Sequence, residues 1–382
     1  MLKKNPMRTR PILYVFFALL ALVAVPVYGP EQEAESASAE NTADTTAWTF
    51  ASIPDFLNVD VHYPQPQWED ALGYVLTNIK AEKPDFVLVA GDLVMGRWWD
   101  GQEQIERLAD VYYPAWLKRM EDHDLTCYVA VGDHELGDNP WKGKRLQHVP
   151  YYERAFVKYL NMPANGPEHM KGLAYWFMHR GVLFVTVDVF EKEHMGAGRG
   201  TATVTGKQLA WLDRVLAEHR GADHTVVMGH TPVLTPVRAE HSSRITLSGG
   251  RASDFWKTLA KYNVDLYLCG EVHAITCTLA DGVWQVAHGS LFGYNTSSNY
   301  LVAQVTPARI ALELKSIETV LGGGHVPQTT GNQPRESVRI ADDAKREGFR
   351  TVGTMTIDKT GGRPRCIEKT GAFAEAYDGR KK

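Results

Sequence analysis

The chain has 382 residues, enough for one large domain or two smaller ones, and its 44% hydrophobic content supports a substantial core. Lysine and arginine total 41 against 45 acidic residues, and the formal charge of −4 excludes a global field that would draw nucleic acid or an acidic membrane. Four cysteines with no CxxC spacing exclude a disulfide scaffold and a cysteine-rich zinc or redox site; Cys127 and Cys269, inside apolar runs, read as buried thiols.

In chain order, Lys3, Lys4, Arg8 and Arg10 precede an uncharged apolar run over residues 11–29, the pattern of an export signal. The run is longer than most signal cores and short for a membrane span, so residues 1–30 read as a signal peptide or a membrane anchor. Pro26, Gly29 and the small residues Ser36 to Ala39 favour cleavage, and the lack of a nearby cysteine excludes a lipoprotein anchor. Either outcome puts the protein outside the cytoplasm: periplasmic, secreted, or anchored and facing outward. Residues 31–47 are acidic and small, a disordered spacer.

Folding is expected to begin near Trp48. Short apolar runs then alternate with helical periodicity: a strand over 56–62, a helix over 67–80, a strand over 85–92, a helix over 102–122 and a strand over 125–135. This alternation predicts a layered α/β fold. Neighbouring strands follow over 172–181 and 182–190, then a helix over 205–219 capped by Thr205, a strand over 224–230, a helix over 253–263 and a strand over 264–273. Residues 275–289, split at Asp281-Gly282, and 300–318, split near Pro307, predict antiparallel hairpins. Past Val320 the chain turns rich in Gly, Pro and Gln and reads as a linker; 320–382 as a whole is linker plus C-terminal extension, with 349–358 its one strand-like piece.

What ends these runs carries the chemistry. Asp60 and His62 close the first, Asp92 the second, Asp133, His134 and Glu135 the third, His230 the fourth, and Glu271 with His273 the fifth. Residues two apart on a strand share a face, so Asp60 pairs with His62 and Glu271 with His273. Each alone is an ordinary turn or surface pair, but five strand ends bearing carboxylates and imidazoles at the rim of an α/β sheet point to bound metal, because gathered buried charge requires a neutralising partner. Other residues are weaker markers. Trp98 and Trp99 line a cleft or cover a core edge; Arg97, Arg199, Arg244 and Arg251 clamp phosphate or face solvent; His194, His241 and His288 read as hydrogen-bonding groups.

The ordered set "DVH", "GDLVM", "GDHE", "GHTP" and "GEVH" resembles the motifs of calcineurin-like metallophosphoesterases, the superfamily of purple acid and phosphoprotein phosphatases, over about Phe50 to Gln304. The resemblance implies a four-layer αββα sandwich of two mixed sheets flanked by helices, spanning 48–319, with a dinuclear metal centre at the carboxyl ends of the strands. It makes Asp60, His62 and His273 ligands of one ion, Asp133, His230 and Glu271 ligands of the other, and Asp92 the bridge. Such a pair, about 3.5 to 4 Å apart, activates a hydroxide for in-line attack on phosphorus. Catalysis would fall to Asp92 and to His134, which would contact the phosphate and protonate the leaving alkoxide.

Three positions depart from the family pattern. Asp133 replaces an asparagine, Glu271 a histidine, and Met95 stands where an acid often orients the catalytic histidine. The two extra carboxylates weaken phosphate attraction and favour manganese or iron, ahead of magnesium or zinc, as the two ions. The expected function is an exported phosphoesterase acting on a small-molecule phosphate ester, with no nucleic-acid partner and an oligomeric state the sequence leaves open. The alternative is a degenerate member that binds metal or ligand without hydrolysis, in which Asp133→Asn with Glu271→His would raise activity.

Overall fold

The computed structural model describes residues 47–55, 67–98, 101–141, 143–191, 201–238, 242, 244–291, 297–328, 331–362 and 364–374. The export segment, all but the last residue of the acidic spacer, and the predicted 56–62 strand beyond Asp55 therefore lie outside the described residues.

Two mixed sheets face each other. The first has seven strands: β1 (Trp48–Ile53), β2 (Val87–Val89) and β3 (Cys127–Val129) run parallel at one side, followed by antiparallel β10 (Ser297–Thr306), β11 (Arg309–Glu318), β14 (Arg350–Asp358) and β15 (Arg365–Thr370). The second has six, in the order β4 (Tyr175–His179), β5 (Val182–Thr186), β6 (His224–Met228), β7 (Leu266–Cys269), β9 (Val283–His288) and β8 (Ile275–Ala280). Within it β5, β6, β7 and β9 are parallel, and β4 and β8 are antiparallel edges. Side chains of both sheets fill the space between them, including Phe50, Phe86, Leu88, Phe184, Val226, Leu268 and Leu301. There Phe50 stacks on Phe86 at 5.8 Å and meets Phe184 edge-on at 5.4 Å.

Helices cover the outer faces. In α1 (Trp68–Ala81) the buried residues Trp68, Ala71, Leu72, Val75, Leu76 and Ile79 form one stripe at helical spacing, with Glu69 and Asp70 in the first turn and Lys80 in the last, matching the helix dipole. The helices α2 (Gln102–Asp122), α3 (Val149–Leu160), α4 (Gly206–Glu218) and α5 (Asp254–Lys261) bury apolar stripes in the same way. Thr205 sits at the N-cap of α4, yet its hydroxyl donates to Glu191 Oε2 at 3.1 Å rather than capping the helix.

The C-terminal region differs from the sequence expectation. The stretch read as a linker forms an antiparallel hairpin, β12 (Val320–Gln328) with β13 (Gly331–Arg339). Beyond the short α6 (Asp342–Glu347), β14 pairs with β11 and β15 with β14, while Met355, Ile357 and Phe373, on the short α7 (Gly371–Ala374), fill the space between the sheets. The polar composition of this tail conceals a strand whose inward residues alternate.

Candidate metal centre

Parallel strands direct their carboxyl ends to one rim. From the first sheet β1, β2 and β3 end at Asp55, Asp92 and Asp133; from the second β6 and β7 end at His230 and at Glu271 with His273. All six are buried. Ligand-type atoms of Asp92, Asp133, His230 and Glu271 all lie within 4.8 Å of one another, and those of Asp55, Asp92 and His273 form a second such group, so Asp92 belongs to both.

Of the residues expected from the sequence, the structure thus gathers Asp92, Asp133, His230, Glu271 and His273, while Asp60 and His62 lie outside the described residues. Asp55 is the residue that sequence reasoning missed. The first strand is WTFASI, upstream of the run expected to be the strand, and Asp55 follows it as Asp92 and Asp133 follow theirs. The signal is present in "SIPD", an acid two residues past an apolar run.

The geometry fits cations. His230 Nε2 stands 3.5 Å from each of Asp92 Oδ2, Asp133 Oδ1 and Glu271 Oε2. Four donors about 2.1 Å from a shared ion at tetrahedral angles would be about 3.4 Å apart. Asp55 Oδ1 and Oδ2, Asp133 Oδ1 and His230 Nε2 are buried with no hydrogen-bond partner among the described residues, a costly state unless an ion takes their lone pairs. The hydrogen bond from His230 Nδ1 to the Ala90 carbonyl at 2.7 Å fixes the tautomer that leaves Nε2 open to the cluster. His273 Nε2 lies 3.1 Å from Asp55 Oδ2.

Backbone detail explains the glycines before these residues. A Cβ on Gly132 would overlap Asp92 Oδ1, and one on Gly270 would overlap Asp55 Oδ1, so the strand ends approach because those side chains are missing. Asp92, Glu271 and His273 themselves adopt φ of 60°, 66° and 48°, a left-handed conformation that non-glycine residues hold at a cost and that concentrates at functional sites.

His134 adjoins the cluster, its amide donating to Asp92 Oδ1 at 3.2 Å. Its Nδ1 lies 2.9 Å from the Met95 carbonyl, so the backbone of Met95 does the orienting expected of an acid side chain at that position. Burial depresses the imidazole, but Asp92, Asp138 and Asp133 outweigh it and lift the ring to about 9; cations on the first and last of these would draw it back down. Glu135 turns away from His134 and accepts from the amides of Asp92 (2.6 Å), Leu93 (2.7 Å), Val94 (3.3 Å) and Gly132 (2.8 Å), locking two of the strand-end loops together.

The weaker markers mostly serve structure. Trp98 is buried against Tyr112 and Tyr152. His288 is buried beside the Ser52 hydroxyl at 2.9 Å, its pKa pushed down to about 4 by burial. Arg251 pairs with Asp281, and Arg97 with Asp138. Trp99, His194, Arg199 and His241 lie outside the described residues.

The family model for calcineurin-like phosphoesterases matches residues 60–274, more than half of the chain. Among solved structures, a dimetal phosphatase from Danio rerio superposes with a TM-score of 0.52 at 15% identity, covering 70% of this chain and 95% of that one. A PhoD structure superposes with a TM-score of 0.51 at 14% identity, covering 85% and 72%. No curated protein matches the chain.

Proposed function

We propose that this chain, which belongs to the calcineurin-like phosphoesterase family and is a hydrolase of phosphoric ester bonds, is an exported enzyme that cleaves a small-molecule phosphate ester with His134 as proton donor. The observation that carries this reading is Asp92, shared by two cation-sized clusters at one buried rim. Asp55, Asp92 and His273 would hold one ion, and Asp92, Asp133, His230 and Glu271 the other. Bound cations would supply Lewis acidity, lowering the pKa of a water and neutralising phosphoryl charge.

The chain's own groups do the rest. The Ala90 carbonyl and the Glu135 carboxylate fix the orientation of His230 and the height of the Asp92 loop, so no ligand must reorganise as charge develops. With Nδ1 held by Met95, the other nitrogen of His134 presents a proton to the leaving oxygen. With ions bound, Asp55, Asp92, Asp133 and Glu271 would present four carboxylates, enough to balance two divalent ions and to favour oxygen-preferring manganese or iron.

The test is metal restoration. Protein stripped by a chelator should regain hydrolysis of an aryl phosphate, about a hundredfold or more above the stripped baseline, on addition of manganese or iron. Failure to turn over any phosphomonoester or diester with manganese, iron, magnesium or zinc would leave the alternative, a metal-binding relative without hydrolysis.

Export is supported by the basic start and the uncharged run over residues 11–29. Sequencing the mature amino terminus should find a new start near Ser36 to Ala39 in protein recovered outside the cytoplasm. Recovery of the intact chain from the cytosol would overturn this part of the reading.

A further inference from the structure

Glu271 stands where the family pattern carries a histidine, and the two side chains differ in what they offer an ion. A histidine presents one nitrogen, whereas a carboxylate has two oxygens and can fill one coordination position or two. The two oxygens of Glu271 have different partners. Oε2 faces the cluster, 3.5 Å from His230 Nε2, and Oε1 accepts the backbone amide of Ile245 at 3.0 Å.

Ile245 belongs to the chain that leaves β6 after His230, and contacts on both sides set its position. The carboxamide of Gln285, fully buried on β9, accepts the amides of Val233 at 2.6 Å and Leu234 at 2.8 Å and donates to the Leu234 carbonyl at 3.1 Å. Tyr267, on β7, donates its hydroxyl proton to the Thr231 carbonyl at 2.8 Å. The returning chain joins this anchored piece where the Leu247 amide donates to the Pro232 carbonyl at 2.8 Å, and the side chain of Ile245 packs on the core. The residues that follow one donor, His230, are thereby folded back onto another, Glu271. The Gly270 amide closes the pair by donating to the His230 carbonyl at 2.8 Å.

We propose that Ile245 is a positioning residue whose backbone amide turns one oxygen of Glu271 out of the cluster, so that this carboxylate fills a single coordination position, as a histidine would. The proposal rests on the metal centre of the reading above. Two carboxylate oxygens share an ion only when both face it, and a donor on Oε1 fixes the plane of the group with Oε2 toward Asp92, Asp133 and His230. One donor from each of these four residues leaves the rest of an oxygen-preferring ion's shell for water and a phosphate oxygen. A second oxygen from Glu271 would take one of those places.

The test is metal binding, read without turnover. Chelator-stripped wild-type protein titrated with manganese should show two sites. Ile245→Pro, which removes the amide hydrogen, should weaken one of them by roughly tenfold and leave the other unchanged. Ile245→Ala, which keeps the amide and loses most of the side chain, should leave both sites as in wild type. Calcium accepts bidentate carboxylates, so in the proline variant its affinity at the weakened site should fall less than that of manganese. In a Glu271→His background, with no second oxygen to hold, Ile245→Pro should leave manganese affinity unchanged. Should the proline variant not fold, Gln285→Met, of similar volume, releases the anchored segment and should show the same pattern to a smaller degree. Equal weakening of both sites, parallel losses of manganese and calcium, or the same loss in the Glu271→His background overturns the proposal. Wild-type protein that takes up neither manganese, iron, magnesium nor zinc overturns the phosphoesterase reading instead.

Discussion

Asp92→Asn is expected to reduce turnover by about a thousandfold or more, the scale of a Lewis-acid contribution of several kcal/mol, and to lower bound metal at both sites together. Among the described residues, Asp92 is the one common to the Asp92–Asp133–His230–Glu271 and Asp55–Asp92–His273 groups of donors. The substitution is isosteric, and asparagine tolerates the φ of 60° at this position. The opposite should hold for the metal-free fold. Burial pushes the Asp92 carboxyl well above its ordinary value, with His230 and His134 opposing and the charges of Asp133 and Asp55 adding to the rise. A carboxyl raised in this way makes the folded, metal-free protein lose stability as pH climbs from the ordinary carboxylate range through the raised value. A neutral amide removes that loss, so in chelator at neutral pH the variant should unfold at the same or a higher temperature than wild type. Elemental analysis paired with thermal unfolding reads both effects, and a variant that keeps a full complement of metal contradicts the shared-ligand role.

Glu135→Ala is expected to cost about 3 kcal/mol or more of folding stability, because it strips a buried acceptor from several amide donors at once. The carboxylate is fully buried and receives the amides of Asp92, Leu93, Val94 and Gly132. Burial raises its pKa against the pull of those amides and of the nearby His230 charge. Glu135→Gln is the sharper probe. One amide oxygen can still serve Leu93 and Val94, while the NH2 would face the donors of Asp92 and Gly132. Activity should fall with stability in both variants, since the same amides set the height of Asp92. Denaturant unfolding midpoints unchanged from wild type would show that these contacts do not carry the load assigned to them.

Much of the architecture was legible in the order of apolar runs and glycines. The helix over 102–122 and the hairpin split at Asp281-Gly282 follow directly from periodicity and turn chemistry. The first strand did not. "WTFASI" is short and lacks charged partners to set its period, and the "DVH" downstream has a strong motif shape of its own. The hairpin over 320–339 is not legible locally because glycine, proline and glutamine argue for a linker, whereas antiparallel pairing is a contact between segments.

By itself the sequence determined the α/β class, the set of strand ends bearing acids and imidazoles, and the order of motifs that marks the family. These are local properties, written in residue type and spacing. Only the tertiary structure decided that Asp55 enters the cluster, that Glu135 faces backbone amides rather than His134, and that the Met95 carbonyl meets the imidazole. Each of these depends on where two loops from different strands meet, and that distance is set by packing between sheets and by the bare Cα atoms of Gly132 and Gly270, which spacing along one chain does not encode.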